Sequence, residues 1–277
     1  MIMQREEAGA ASAVPPASRA PGCGPAPRLG RVFRLYDEGS GQARPVRPGR
    51  AGELRIWVAG DAASPGARSA GLRSCLIGDL VRRVAERHRL LVSAWQQEPG
   101  EQSAGHGAGQ ALRTAWDELN IYPAELAAEP PDPVDVAVAG AGQPGGAAAY
   151  RMQPGEVQPE DPDTSGLAPL ALRLAFLEHH YREPVHLSRE ALEDADRAVR
   201  HWRELVAGWA DSPSKPMCPQ YTGDVLGAFD DDLDTPAALR TLRALAADSQ
   251  IPPGSKFESF AYLDQLFGLD LASEVGR

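Results

Sequence analysis

The sequence predicts an α/β domain followed by an α-helical bundle. A strand–helix–strand pattern in the first half and helical periodicity from Leu167 to Leu271 in the second half indicate this fold class. Between the halves the sequence is rich in Pro, Gly, Ala and acidic residues. We therefore expect a disordered tail over 1–29, an α/β domain over 30–129, a low-complexity linker over 130–166 and a helical bundle over 167–277.

Composition excludes several classes of protein. The 277 residues are 43% apolar, enough for one large or two modest domains, while 25 Pro and 28 Gly indicate much irregular structure. Cys23, Cys75 and Cys218 lie far apart and provide neither a disulfide framework nor metal-ligand spacing. We find no membrane-spanning apolar run and no signal-peptide core, so we expect a soluble cytoplasmic protein without membrane association.

Charge is distributed unevenly along the chain. The net charge is −10, yet arginine dominates between Arg28 and Arg89. An arginine-rich half could bind anions, but ordinary solvated arginine explains it more simply. Since no motif combining aromatic and basic residues accompanies the charge, we favour solvated arginine.

The first half begins with an Ala/Pro/Gly-rich tail up to about Pro27. Val32–Asp37 predicts a short strand, with a turn at Glu38–Gly41. Leu54–Gly60 is the best strand of the chain, because it alternates, contains β-branched and aromatic residues and ends in glycine. These segments open the predicted α/β domain.

A helix over Ser69–His88 and a strand over Leu90–Trp95 follow, which completes a βαβ unit at the start of a parallel, doubly wound sheet. Residues 98–108 predict a linker, and a short helix follows it. Within the low-complexity segment, Val134–Val138 is the single candidate strand.

In the second half, Leu170, Leu174, Leu177 and Tyr181 form one helical stripe. Pro184 ends that pattern and Ser188 can cap the next helix. That helix carries a narrow apolar seam, indicating four antiparallel helices. The predicted core residues are Trp202, Trp209, Phe229, Phe260, Leu263 and Phe267.

Two segments of the helical half resemble a known family. Ala171–Arg182 and Ala228–Leu239 resemble the helical domain of cysteinyl-tRNA synthetases and of mycothiol cysteine ligase. The βαβ unit is similar to the opening of the same family's nucleotide-binding domain, so the resemblance covers residues 31–95, 110–123 and 167–271. It implies a reduced Rossmann-like, class I synthetase-type domain that activates cysteine with ATP through an aminoacyl adenylate.

The residues that the family's chemistry needs are replaced. Ala59 stands at the position of the first zinc-binding cysteine, and Arg68–Gly71 at that of the His-Ile-Gly-His signature. Asp161–Gly166 occupies the place of the lysine-rich loop. The chain's two lysines, Lys215 and Lys256, lie in the helical half. We therefore expect no zinc and assign no catalytic residue and no metal ligand.

Gly60, Arg68 and Arg73 remain as candidates for binding ATP or its phosphates, although the glycine spacing matches no phosphate fingerprint. The pair His179–His180 could bind a metal, but a packing role is the simpler interpretation. The run Asp230–Asp232 with Asp234 could bind a cation. Capping of a helix that starts at Pro236, by Asp234 or Thr235, is simpler. Ser255–Glu258 has the pattern of a capping box.

Three functions are compatible with these residues. The favoured one is a catalytically degenerate family member that binds a partner protein or a small ligand. The alternative is an active ATP-dependent ligase whose site has been rebuilt with Arg68 and Arg73. A tRNA-binding module is disfavoured because the helical half is acidic and phosphate contacts dominate nucleic-acid affinity.

Overall fold

The computed structural model describes residues 32–49, 52–60, 68–99, 108–140, 142–143, 145–159 and 161–277. The predicted tail, Cys23 and most of the predicted linker at 98–108 lie outside these residues. The strands are β1 Arg34–Asp37, β2 Gln42–Pro45, β3 Glu53–Val58, β4 Leu91–Gln97, β5 Glu125–Ala127, β6 Val136–Val138, β7 Tyr150–Met152, β8 Val157–Gln158 and β9 Val185–His186. The helices are α1 Arg68–Arg87, α2 Ala108–Glu118, α3 Pro169–Leu177, α4 Arg189–Ala210, α5 Pro219–Asp230, α6 Thr235–Ala247 and α7 Pro253–Phe267.

A five-stranded parallel sheet with the order β5-β4-β3-β6-β7 forms the centre of the first half. The βαβ prediction is confirmed, since Ile56 of β3 pairs in parallel with Ala94 of β4. On its other side Ile56 pairs with Val136 of β6. The strand order therefore reverses at β3, and such a reversal opens a crevice beyond the carboxyl ends of the strands.

The segment 130–166, predicted to be a low-complexity linker, supplies β6 and β7 to this sheet and the short strand β8, which pairs with β9. β6 is only three residues long, yet all three are buried. Tyr150 and Met152 of β7 are buried on either side of exposed Arg151. β6 lies within the candidate strand Val134–Val138, and it pairs with β3. β7 and β8 were not predicted, because strands this short carry little periodicity, and they form by pairing with β6 and β9.

The first predicted strand lies outside the main sheet. β1 pairs in antiparallel fashion with β2, which the sequence did not predict, across the predicted turn. This hairpin is fastened to β7: the Glu38 N–H donates to the Arg151 carbonyl over 2.9 Å, and the Arg151 N–H donates to Asp37 Oδ1 over 3.0 Å. The hairpin therefore closes the β7 end of the sheet.

Helix α1 lies very close to β3. A Cβ atom on Gly78 would stand 2.5 Å from Val58 Cγ2, so a larger residue would force the helix away from the strand. The apolar face of α1 joins one continuous core with β3, α2 and the helices of the second half. Trp57, Ala59, Val134 and Ala137 form a separate small cluster on the other face of the sheet.

The second half contains five helices among the described residues rather than the predicted four, because α3 is a separate short helix packed against α4. Of the predicted core residues Trp209 is half-buried and the other five are buried. The rings of Phe229 and Phe267 meet at 5.1 Å. No described helix is long and apolar enough to span a bilayer.

The predicted helix caps are confirmed with one exception. The Ser188 side chain accepts from the Ala191 N–H, and Asp234 accepts from the Ala237 N–H. The capping box at Ser255–Glu258 was wrong, because α7 already begins at Pro253. Glu258 instead accepts a hydrogen bond from Ser214 Oγ over 2.7 Å. Pro253 in the first turn of α7 favours a helix start before Ser255.

Candidate ligand cleft at the carboxyl edge of the sheet

A cleft of about 440 Å³ opens at the carboxyl ends of the parallel strands. Its walls come from the residues that follow β3, β6 and β7, from the first turns of α1 and from the segment after α3. The lining includes Gly60, Gly71, Ser74, Gly140, Gln143, Gln153, Gly155, Glu156 and Arg182. This position is the crevice that the strand order creates, where open α/β sheets bind ligands.

Gly60 lies two residues after the end of β3 and lines the cleft. Its φ of 136° favours glycine, and a Cβ there would lie 3.5 Å from the Cα of Gly71. Two glutamines of β4 hold its backbone: Gln96 Nε2 donates to the Gly60 carbonyl over 2.9 Å, and the Gly60 N–H donates to Gln97 Oε1 over 3.2 Å. The strand end is therefore bare of side chains but fixed in position.

Arg73 supports the cleft from behind. Its buried guanidinium donates to the carbonyls of Gly155 over 2.9 Å and His180 over 3.0 Å. Burial lowers the pKa of Arg73 to about 10, although the nearby Glu183 carboxylate acts in the opposite direction. Arg73 thereby ties two walls of the cleft together, and these donors are already engaged with protein carbonyls.

Arg68 lies elsewhere. It is exposed and lines a second cavity between α1, α2 and α3, not the cleft. The structure therefore does not bring the three candidates together: Gly60 lines the cleft, Arg73 stands behind it and Arg68 faces another opening. Arg68 and Arg73 are five residues apart on α1, a spacing that puts their side chains on different faces of the helix.

Arg182 is the cleft residue that sequence reasoning missed. It is exposed, but it donates to Asp232 Oδ2 from Nε over 3.2 Å and from Nη2 over 3.0 Å. Its guanidinium also stacks on Tyr36 at 4.3 Å from the ring centroid. Arg182 ends the run used for the resemblance, but nothing in that run indicates that its side chain reaches the cleft.

The acidic run joins the two halves of the molecule. Asp232 accepts from the Tyr36 N–H over 2.7 Å and from the Tyr181 hydroxyl over 2.8 Å. Burial and this carboxylate raise the pKa of Tyr181. Burial acts to raise the pKa of Asp230, but bonds from His88 and Arg87 outweigh it and lower that pKa. Asp230 and Asp232 therefore already have cationic or hydrogen-bonding partners within the protein.

The described residues do not fit a zinc ion. None of their His, Cys, Asp and Glu side chains forms a group of three or more that could hold a metal. At the end of β3, Ala59 is buried and apolar, and the polar side chains that hold Gly60 are neutral amides. Zinc sites use thiolate, imidazole or carboxylate ligands, so this donor set is unsuitable. His180 lies 3.6 Å from Asp232, and those two residues alone are too few for a metal site.

We expect Arg73→Met to lower the free energy of unfolding by about 2–4 kcal/mol, because buried carbonyls lose their donor. Chemical denaturation measures this loss. Arg68→Met is the matched control, since Arg68 is exposed on the same helix and should change stability by less than about 0.5 kcal/mol. Equal small effects of both substitutions would contradict the assigned role of Arg73.

Part of the chain is similar in sequence to cysteine ligases. It is 38% identical over 101 residues to a cysteine–tRNA ligase of Methylocella silvestris, covering 36% of this chain and 19% of that protein. It is 39% identical over 82 residues to the L-cysteine:1D-myo-inositol 2-amino-2-deoxy-alpha-D-glucopyranoside ligase of Micrococcus luteus, covering 30% and 18%. The corresponding Mycolicibacterium smegmatis ligase is 34% identical over 110 residues, covering 38% and 26%. The chain thus spans about a fifth to a quarter of the length of these curated relatives. No family model matches it.

Proposed function

We propose that this partial homologue of the cysteine ligases is a binding protein that does not form an aminoacyl adenylate. It keeps a ligand-sized cleft at the carboxyl edge of a Rossmann-like sheet. Its occupant is a small ligand or a segment of a partner protein. The ligase activity of the relatives is not part of this proposal, because the chain matches only a fraction of their length.

One observation carries this proposal: the cleft offers no free cation among the residues that the structure describes. Arg182 lines the cleft but is paired with Asp232, and Arg73 is bound to carbonyls behind the wall. Formation of an adenylate requires preorganised donors that neutralise charge on the α-phosphate and on pyrophosphate. The sequence from Asp61 to Ala67, which precedes α1, contains no basic residue.

Nucleic-acid binding is disfavoured by charge. The net charge of −10 opposes a polyanion, and the acidic residues of the helical half would repel phosphates. The arginines of the first half do not compensate, since several of them are engaged in ion pairs or carbonyl contacts within the protein. We therefore propose that tRNA is not a partner.

We expect no cysteine-dependent exchange of labelled pyrophosphate into ATP above a control without protein. Removing a single preorganised donor typically costs about a hundredfold in rate, so a site without such donors should be close to background. The full chain is assayed with cysteine, ATP and magnesium. A cysteine–tRNA ligase serves as the positive control, and the same mixture without cysteine gives the baseline.

Clear exchange would reject the binding-protein proposal and favour the rebuilt ligase. In that case Arg68→Ala or Arg73→Ala should abolish the exchange, since these were the cations suspected of replacing the missing donors. Binding of ATP without exchange, measured by titration calorimetry, would instead identify ATP as the ligand of a non-catalytic cleft.

We also expect the purified protein to contain no stoichiometric zinc. The reason is the absence of a thiolate or imidazole ligand set among the described residues around the cleft. Elemental analysis after dialysis against zinc-containing buffer, then against metal-free buffer, measures the retained metal. About one zinc per chain would require a tetrahedral site and would contradict this expectation.

A further inference from the structure

A second cavity, of about 260 Å³, lies on the other side of the first turns of α1. The start of α1 separates the two openings. Arg68, Ser69 and Leu72 line the second cavity, whereas Ala70, Gly71 and Ser74 line the cleft. The remaining walls come from the end of α2, the start of α3 and the segment before α3. Ligands in the two openings would therefore not share a subsite.

The floor of the second cavity is apolar. Leu72, Leu119, Ala171 and Leu192 contribute to it, and each is buried. The volume is below the usual range for drug-sized ligands and suits a molecule of the size of one amino acid. Ser69 is also buried in this lining, but the leucine and alanine side chains favour an aliphatic group because they offer it no hydrogen-bonding partner.

The rim carries both signs of charge. Arg68, Glu118 and Asp161 line the opening and are exposed. None of these three side chains forms a hydrogen bond or ion pair within the described part of the chain. These unpaired side chains differ from Arg182 of the cleft, which already forms an ion pair with Asp232. The charges on this rim are therefore available to a ligand that carries both a cationic and an anionic group.

We propose that the second cavity binds a free α-amino acid with an aliphatic side chain. Arg68 contacts the carboxylate, Glu118 and Asp161 contact the ammonium group, and the side chain lies on the leucine floor. Complementary charge together with an apolar floor of matching size argues for this occupant. The proposal does not depend on the function of the cleft.

Titration calorimetry with the full chain tests this, using leucine and two probes with the same branched aliphatic body. 3-Methylbutylamine lacks the carboxylate, and 4-methylpentanoate lacks the ammonium group. We expect leucine to bind about tenfold or more tighter than either probe, since each loses a charge-assisted contact. Absence of leucine binding, or equal binding of the amine and leucine, would overturn the proposal.

Two rim variants separate the contacts. Arg68→Gln should weaken leucine binding to the level of the amine and leave the affinity for the amine unchanged. The double variant Glu118→Gln and Asp161→Asn should weaken leucine and the amine but not 4-methylpentanoate. Arg113→Gln is the control, because Arg113 is exposed on α2 and lies outside the cavity. All four positions are exposed, so a melting curve should show an intact fold; unchanged leucine affinity in both rim variants would refute the assigned contacts.

Discussion

Asp79→Asn should lower the free energy of unfolding by about 3–5 kcal/mol, because it removes the carboxylate that bridges two buried guanidinium groups. Asp79 Oδ2 accepts from Arg83 Nε and from Arg173 Nη2, each over 2.8 Å. The three side chains are almost completely buried where α1 meets α3. Asparagine keeps the shape but leaves two positive charges facing a neutral amide.

The arginines of this cluster also bind backbone. Arg173 donates to the carbonyls of Phe267 and Leu119, and Arg83 donates to that of Gln265. Loss of Asp79 therefore weakens the contact between the sheet and the helical bundle. Burial lowers the pKa of Arg173, and the Asp79 charge opposes that shift. Without the carboxylate, the buried charge on Arg173 becomes more costly.

Urea denaturation at neutral pH measures the effect. Glu86→Gln is the matched control, because Glu86 is an acidic residue on the same helix whose ion pair with Arg82 is solvent-exposed. Exposed pairs contribute roughly 0–1 kcal/mol, so this variant should remain close to the parent protein. A loss below about 1 kcal/mol for Asp79→Asn would show that the cluster contributes little to stability.

Trp202→Ala should cost about 3–5 kcal/mol, because it removes a large side chain from the centre of the α4 seam. Trp202 is 4% exposed, and the Arg243 guanidinium lies 5.6 Å from its ring centroid. The neighbouring seam residues Val199 and Val206 are fully buried. A cavity at this position cannot close without moving α4 relative to the helices packed on it.

Thermal and chemical unfolding report this loss. His201→Ala is the control, since His201 precedes Trp202 on the same helix and is exposed. Trp209→Ala should have an intermediate effect, because Trp209 is half-buried and contacts Phe260 at 5.1 Å. A melting temperature of Trp202→Ala equal to that of the parent would mean that the seam is not part of the core.

The local sequence pattern was sufficient to predict the longer strands and helices. β3, α1 and β4 follow from alternation and helical periodicity, and α4 follows from its apolar seam and its Ser188 cap. Such signals are carried by neighbouring residues along the chain, so no knowledge of distant contacts is needed. The replacement of the family's signature residues, such as Ala59, was likewise visible in the sequence.

Contacts between residues distant in sequence decided the short strands and the roles of the arginine side chains. β6 lies within the candidate strand Val134–Val138, but β7 was not predicted. Pairing with the buried β6 stabilises β7, a three-residue strand that local preference alone did not indicate. The side-chain roles were decided in the same way: Arg73 binds carbonyls 82 and 107 positions away, and Arg182 pairs with Asp232. A guanidinium can donate to phosphate, carboxylate or carbonyl oxygen. The residue type therefore indicated that an anion or a carbonyl would be bound, and the tertiary structure determined which one each arginine meets.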